Sequence, residues 1–324
     1  MKLLITGGSG TLGQEITNLA LAKKYQVHIL SRNKKLISKN INLKYFYWDP
    51  YSEEIDINCF NGVDTVINLA GFSVFNLWTT KNKSKILNSR LDSTYFILKM
   101  IKEKGIKLKS FVNASGISAY SNSLKRVSSE DDSKNIKDSF INQVVIKWES
   151  KVLEFEKKLP EISFSILRIG LVLSKSGGVF KISKNLSKIF LLSALGKGNQ
   201  WQSWIHVIDV ANFFIRCAEK NYRGVFNLVS PNPITQNELL RKIAFHNRSQ
   251  IIFPNIPKFI VKIFFGQMSE LVLSSQKVIS NDLDDFIFRF PKIDDALKDL
   301  SKSVSYTHLR AHETLRYLVC RLLL

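Results

Sequence analysis

The sequence predicts an α/β fold, a doubly wound parallel sheet with a small, mostly helical C-terminal lobe, on three observations. A buried-type strand, Leu3–Thr6, runs straight into the glycine-rich turn Thr6-Gly-Gly-Ser-Gly-Thr-Leu-Gly13. Short apolar runs then alternate with helical periodicity through the first half of the chain. Beyond residue 230 helix signals dominate.

In order, the expected strands are Leu3–Thr6, Val27–Ser31, Lys44–Trp48, Thr65–Asn68, Ser110–Ala114, Ser163–Arg168 and Val225–Val229. Helical periodicity covers Thr11–Lys24, Lys83–Lys104 and Ile141–Lys158. This alternation calls for helices on both faces of the sheet and puts the glycine turn at its carboxyl edge, where such folds bind ligands. After Leu171 the pattern loosens, with Ser176-Gly-Gly178 and Gly196-Lys-Gly198 as flexible punctuation. Asp209 is placed to N-cap a helix over Val210–Glu219, with Val210, Phe213, Phe214 and Cys217 on one face. Thr235-Gln-Asn-Glu238 reads as a capping box, with Ile234 positioned to staple Leu239. Residues 1–230 are expected to form the larger domain, 172–205 to contribute to a cleft, and 231–300 to form the lobe. Residues 303–324 lack lysine and carry three arginines and six leucines. This stretch reads as a non-native or disordered tail and is set aside from the fold.

The chain has 324 residues, 45% of them hydrophobic and 11% aromatic, enough for a full core. No apolar run reaches the roughly 18 residues of a membrane span, and Met1-Lys2 leads into a strand rather than a signal peptide. No membrane partner is expected. Cys59, Cys217 and Cys320 are few, odd in number and unclustered, which fits a reducing, cytoplasmic setting without a disulfide framework. The formal charge of +20 comes from lysines scattered along the chain, with no stripe of interleaved aromatics. Nucleic acid is therefore not the expected partner; solvated faces and mild attraction for anionic small molecules are. Either a monomer or a homodimer fits.

Gly8, Gly10 and Gly13 satisfy G-x-G-x-x-G between strand and helix. One glycine permits the sharp turn, one lets backbone approach a pyrophosphate, and the third lets the helix pack close to the sheet. The helix N-terminus then offers N–H groups to phosphate. Gly7, Ser9, Gly10, Thr11, Leu12 and Gly13 are thus candidate dinucleotide-binding residues. Ser31-Arg32 follows the second strand, where an NAD site usually carries an acid; the arginine favours a 2′-phosphate, hence NADP over NAD. Asp49 either meets the adenine edge or simply makes the turn before Pro50. Leu69, Ala70 and Gly71 end the fourth strand, the last two of them small, where a nicotinamide ribose would approach; the alternative is a plain strand-end turn.

The glycine loop, Asn68–Gly71, Asn113-Ala-Ser-Gly-Ile-Ser-Ala-Tyr120 and Leu167-Arg-Ile-Gly170 resemble the extended short-chain dehydrogenase/reductase superfamily. Gln200-Trp-Gln-Ser-Trp-Ile-His-Val-Ile-Asp209, Gly224-Val-Phe-Asn-Leu-Val-Ser-Pro-Asn-Pro233, Phe264-Phe-Gly-Gln-Met-Ser-Glu270 and Leu273-Ser-Ser-Gln276 narrow the resemblance. They are similar to its atypical branch of epimerase-family, sugar-nucleotide-epimerase-like proteins. The resemblance runs from residue 1 to about 300. It implies a Rossmann-type domain binding NADP(H) and a C-terminal lobe closing over a substrate cleft.

The departure concerns chemistry. Reductases of the superfamily use Tyr-x-x-x-Lys beside a Ser. Ser115 fits the Ser, but the superfamily spacing counted from Glu149 lands on Ile141 and Val145. The register through Lys147 puts Gln143 where Tyr should stand, and Tyr95-x-x-x-Lys99 lies before the Ser-bearing strand. Ser115, Tyr120 and His206 remain as catalytic candidates, with Asp209 as cap or as partner to His206. Arg168 either binds an anionic substrate group or pairs a carboxylate. No metal site is expected: His308 and His312 lack the H-E-x-x-H order and sit in the tail. Neither a P-loop nor a G-x-S-x-G elbow occurs. The expectation is an NADP(H)-binding oxidoreductase or epimerase-like protein for an undetermined small molecule, with nucleotide-sugars among the candidates. The alternative is a catalytically silent NADP(H)-binding redox sensor.

Overall fold

The computed structural model describes residues 1–302 except 37, 133–138, 282 and 284. The tail at 303–324, with its two histidines and Cys320, lies outside the described residues. In chain order the elements are β1 (Lys2–Thr6), α1 (Thr11–Ala22), β2 (Gln26–Ser31), β3 (Leu43–Asp49), β4 (Glu54–Ile55), β5 (Thr65–Asn68), α2 (Thr80–Glu103), β6 (Ser110–Gly116), β7 (Val127–Ser128) and α3 (Phe140–Glu156). There follow β8 (Ser163–Ile169), β9 (Leu171–Leu173), α4 (Gly178–Lys188), β10 (Trp201–Gln202), β11 (Trp204–His206), α5 (Val207–Lys220), β12 (Gly224–Leu228) and β13 (Ile234–Thr235). The lobe adds α6 (Gln236–His246), α7 (Lys258–Phe265), α8 (Ser269–Leu273), β14 (Lys277–Val278) and α9 (Ile293–Ser301).

The main sheet has the order β12-β8-β6-β5-β1-β2-β3-β4. Every pairing is parallel except the edge pair β3–β4. The order reverses at β1, between β5 and β2, so the glycine loop leaves the sheet at a topological switch point. Strand alternation divides the core. Leu3 and Ile5 point to one face with α1 and α5; Leu4 and Val66 point to the other with α2 and α3. A third apolar cluster joins Leu173, Phe180 and Trp204 to Leu239, Ile243 and Leu297, gluing the helical lobe to the segment after β9.

Local chemistry sets the ends. α2 begins at Thr80 rather than Lys83 because Thr79 Oγ accepts from the Asn82 N–H at 3.2 Å. Thr235 caps α6 as the capping box predicts, accepting from Glu238 N–H at 3.3 Å. The expected cap on α5 is corrected. That helix starts three residues earlier, at Val207, and His206 Nδ1 accepts from the Ile208 N–H at 3.2 Å. Asp209, inside the first turn, instead accepts from the backbone N–H groups of Arg289 at 2.8 Å and Phe290 at 3.0 Å. It is a staple between α5 and the lobe.

Candidate functional site

The glycine loop is a tight backbone cradle. Gly7 has φ +68°, and a Cβ there would stand 2.8 Å from the Leu69 carbonyl oxygen. At Gly13 a Cβ would lie 2.5 Å from Gly7 O and 2.7 Å from Gly8 Cα. Gly10 N–H closes the turn on Gly7 O at 3.1 Å. Gly10 is also the N-cap of α1 and has no side chain to satisfy the first-turn N–H groups, which suits an anion. Thr6 ties the loop to the end of β5. Its hydroxyl donates to Asn68 Oδ1 at 2.7 Å and accepts from the N–H groups of Leu69 and Ala70, both at 3.0 Å. Gly177, before α4, faces Thr11: a Cβ there would be 2.9 Å from the Thr11 hydroxyl.

The other cofactor candidates surround this loop. Ser9 and Gly10 are exposed and Thr11 and Leu12 half-buried. Arg32 is exposed and has no carboxylate partner among the described residues, while Ser31 Oγ accepts from Asn33 N–H at 3.0 Å. Asp49 makes the turn, accepting from Tyr51 N–H at 3.0 Å.

Sequence reasoning missed the framework behind Leu69–Gly71. Asn68 Nδ2 donates to Thr94 Oγ at 2.8 Å and Asn113 Oδ1 at 2.7 Å, and Trp148 Nε1 also donates to Thr94 Oγ at 2.8 Å. Ser89 and Arg90 clamp the next residue. Ser89 Oγ accepts from Phe72 N–H at 2.8 Å, and Arg90 donates to Phe72 O at 3.0 Å and Ile86 O at 2.8 Å. The Arg90 guanidinium rests 5.3 Å from the Trp148 ring centre and against Gly71, where a Cβ would meet its Cζ at 2.9 Å. Burial without a carboxylate lowers its pKa to about 10.

Ser115, Tyr120 and Arg168 come together, but in the interior. Ser115 Oγ donates to Glu149 Oε1 at 2.7 Å. Arg168 grips Glu149 through two bonds of 2.8 and 2.9 Å and donates to the Tyr120 hydroxyl at 2.7 Å. That hydroxyl donates onward to Asn227 Oδ1 at 2.7 Å. All five side chains are buried. Arg168 therefore pairs a carboxylate, one of the two alternatives left open by the sequence. Burial opposes its charge, yet the Glu149 bonds carry its pKa above the usual arginine value. Burial also raises the Tyr120 pKa, against the lowering influence of Arg168, so the phenol keeps its proton. The positions where the superfamily carries Tyr and Lys are apolar. Val145 is buried, 3.8 Å from where a Cβ on Gly116 would lie, and Ile141 packs against the apolar cluster of Trp78, Ile86, Val144 and Met268.

His206 does not reach a cleft. Its ring is 1% exposed and packs on Phe290 with centroids 4.0 Å apart. Nε2 lies 3.5 Å from an Asp299 carboxylate oxygen and has no well-formed hydrogen bond among the described residues. Burial, only partly opposed by Asp299, depresses its pKa to about 4. The unfolded value is about 6.5, so the unfolded chain takes up the proton first as pH falls. This contribution to stability is complete above about pH 6.5 and is lost as pH falls towards 4, by about 3 kcal/mol from the 1.36 kcal/mol per pKa unit. His206→Gln should flatten that part of the stability–pH curve in urea unfolding; an unchanged slope would contradict the assignment.

A groove opens beside the α3 N-terminus. Trp78, Lys83, Phe140 and Gln143 form one wall, and Gln267 and Glu270 of the lobe the other, around about 280 Å³. It continues along Thr79, Ser84 and Leu87 into a shallower space of about 500 Å³. Trp78 and Phe140 meet edge-on at 5.1 Å. No residue of 172–205 lines it; that segment approaches the glycine loop through Gly177 instead.

A family model described as the NAD dependent epimerase/dehydratase family matches residues 3–228. The chain belongs to the NAD-dependent epimerase/dehydratase family. Its nicotinamide-dinucleotide-binding Rossmann fold accounts for the switch-point loop. In this epimerase-family chain a second model, a domain of unknown function (DUF1731), matches residues 256–300 in the lobe. An epimerase family protein of Staphylococcus saprophyticus is 32% identical over 301 residues, covering 92% of this chain and 98% of the relative. One from Staphylococcus aureus strain N315 is 30% identical over 306 residues, covering 93% and 99%. The crystal structure of human epimerase family protein SDR39U1 (isoform 2) with NADPH superposes with TM-score 0.81 at 26% identity, covering 94% of this chain and all of that one. UDP-glucose 4-epimerase from Thermotoga maritima shares the fold at TM-score 0.75 and 17% identity, covering 93% and 97%. Among the described residues no helix is long and apolar enough to cross a membrane, and no group of three metal-ligating side chains occurs.

Proposed function

We propose that this epimerase-family protein binds NADP(H) and acts as an oxidoreductase or epimerase-like enzyme on a small molecule, with a nucleotide-sugar as the substrate class. The carrying observation is the cradle: a glycine loop in which a Cβ on Gly7 or Gly13 would meet backbone, ahead of a helix start without a side-chain cap. Two arginines without carboxylate partners among the described residues, Arg32 and Arg90, flank it. These residues fit a dinucleotide. Gly7, Ser9, Gly10, Thr11, Leu12 and Gly13 would hold the pyrophosphate, and Ser31 and Arg32 the 2′-phosphate, with Asp49 towards the adenine. Leu69, Ala70 and Gly71, backed by Arg90, would hold the nicotinamide ribose. When bound, the cofactor supplies a hydride donor or acceptor. Arg32, and the NADPH in the human relative's structure, support NADP over NAD.

The groove suits a polyhydroxylated ring, with the Trp78 and Phe140 side chains on one wall and the Gln143, Gln267 and Glu270 side chains around them. Ser115 donates its hydroxyl proton to Glu149 and keeps both oxygen lone pairs. It is the most exposed of the five buried side chains, at 7%, and stands near the carboxyl end of β6. Of that network its oxygen is therefore the one that would accept from a substrate hydroxyl. Tyr120 and His206 are engaged elsewhere, so we assign them structural roles and look to water or a groove side chain for proton transfer. The free thiols of Cys59 and Cys217 suit the cytoplasm.

Arg32→Ala should weaken NADPH by tenfold or more while leaving NADH nearly unchanged, measured by fluorescence titration. An equal loss for both cofactors would remove Arg32 from the 2′-phosphate site. Turnover is tested by NADPH absorbance against a nucleotide-sugar panel, wild type beside Ser115→Ala. The apolar Ile141 and Val145 favour a second reading, a silent NADP(H)-binding redox sensor. Tight NADPH binding, no turnover and no effect of Ser115→Ala would select it.

A further inference from the structure

α7 faces solvent with its apolar side. Of its eight residues only Val261 is buried. Phe259, Ile263 and Phe264 are 64%, 74% and 73% exposed. Ile252 and Phe253, just before the helix, and Phe190 and Leu191, just after α4, are also exposed. These stretches adjoin. Leu195 bridges Ile256 in parallel, Ile256 N–H bonds Ala194 O at 2.8 Å, and Ser193 Oγ bonds Phe253 O at 3.2 Å. Phe190 holds φ +58°, a conformation a bulky residue adopts at a cost, and presents its ring to solvent.

Charge says what covers this face. Segments 178–198 and 247–269 contain seven Lys and Arg and no Asp or Glu. Lys188, Lys197, Arg248, Lys258 and Lys262 are exposed and pair with no carboxylate among the described residues. A second copy would bring the same uncompensated cations to a self-complementary interface, which like-charge repulsion opposes. Aromatic and branched side chains among unpaired cations match an anionic lipid surface, where rings enter the headgroup boundary and lysines meet phosphates.

We propose that the α7 face docks the protein on the surface of an anionic lipid bilayer. The helix lies in the interface and spans nothing. An eight-residue interfacial helix leaves no long apolar run in the sequence, unlike a membrane span.

Co-sedimentation of the full chain with phosphatidylglycerol/phosphatidylcholine vesicles, against pure phosphatidylcholine, tests this. Wild type should bind the anionic vesicles and not the neutral ones, with binding lost at high salt. The triple substitution Phe259→Ser, Ile263→Ser, Phe264→Ser should lower partitioning by about a hundredfold or more. Lys258→Gln with Lys262→Gln should lower it by about twenty-five-fold, at roughly fivefold per lysine. All five side chains are exposed, so circular dichroism should stay unchanged; should the apolar variant fail to fold, the lysine pair decides. Absence of wild-type binding to anionic vesicles, or equal binding to both lipids, overturns the proposal. So does a dimer in ultracentrifugation that the triple variant reduces to a monomer, which would make the face a self-association surface.

Discussion

Glu149→Ala is expected to destabilise the protein by about 3–5 kcal/mol, a large part of the stability of an ordinary domain. The Arg168 side chain is fully buried and that of Glu149 nearly so. Removing the carboxylate leaves a guanidinium in the sheet interior with two donors unsatisfied, and Ser115 loses its acceptor. The penalty comes mainly from the stranded charge, because an intact buried pair contributes little net stability. The double substitution Glu149→Met, Arg168→Met should therefore recover most of the loss. Urea unfolding of Glu149→Met, Arg168→Met and the double variant closes the cycle. A loss below about 1 kcal/mol in Glu149→Ala, or no recovery in the double variant, would contradict the assignment. NADPH titration of the double variant asks a separate question, whether the pair also shapes the cradle.

What the sequence showed and what it concealed follow from the range of the interactions. The glycine loop, the alternation of strands and helices and the α6 cap are written in neighbouring residues. The two-residue strands β10, β13 and β14 carry no period to detect. Asp209 was miscast for a local reason: Val207 and Ile208 follow the strand-like Trp204–His206, so the helix start hid behind apolar residues and an uncommon His cap. Asn68, Thr94, Asn113 and Trp148 meet across up to 54 residues of sequence, and no spacing announces that. A signal existed nonetheless. An arginine in the apolar strand Ser163–Ile169 requires a buried carboxylate nearby, and Glu149 stands among Val145, Trp148 and Val152 on an apolar helix face. The superfamily count that ended on Ile141 and Val145 had already started from that residue. The Arg90 clamp offered less, because one arginine on a lysine-rich helix looks like a solvated charge until Trp148 is seen beneath it.

Gly10→Ala and Gly13→Ala should separate binding from packing within one loop. A Cβ on Gly13 would press 2.5 Å from the Gly7 carbonyl oxygen and 2.7 Å from Gly8 Cα, backbone atoms that cannot rotate aside. Relief requires α1 to move off the loop, against its packing in the core with α5. The expected cost is about 1–3 kcal/mol, with loss of NADPH binding. Gly10 differs: φ is −74°, and a Cβ would sit 3.4 Å from Gly7 O, so the fold can hold an alanine. Its cost should be within about 1 kcal/mol, as for a glycine N-cap replaced by alanine. The added methyl lies on the exposed side of the cradle, so NADPH affinity should fall tenfold or more with the melting temperature of the free protein nearly constant. Thermal unfolding with and without NADPH reads both quantities. If Gly10→Ala binds NADPH as tightly as wild type while Gly13→Ala loses stability, the loop serves helix packing alone and the pyrophosphate assignment falls.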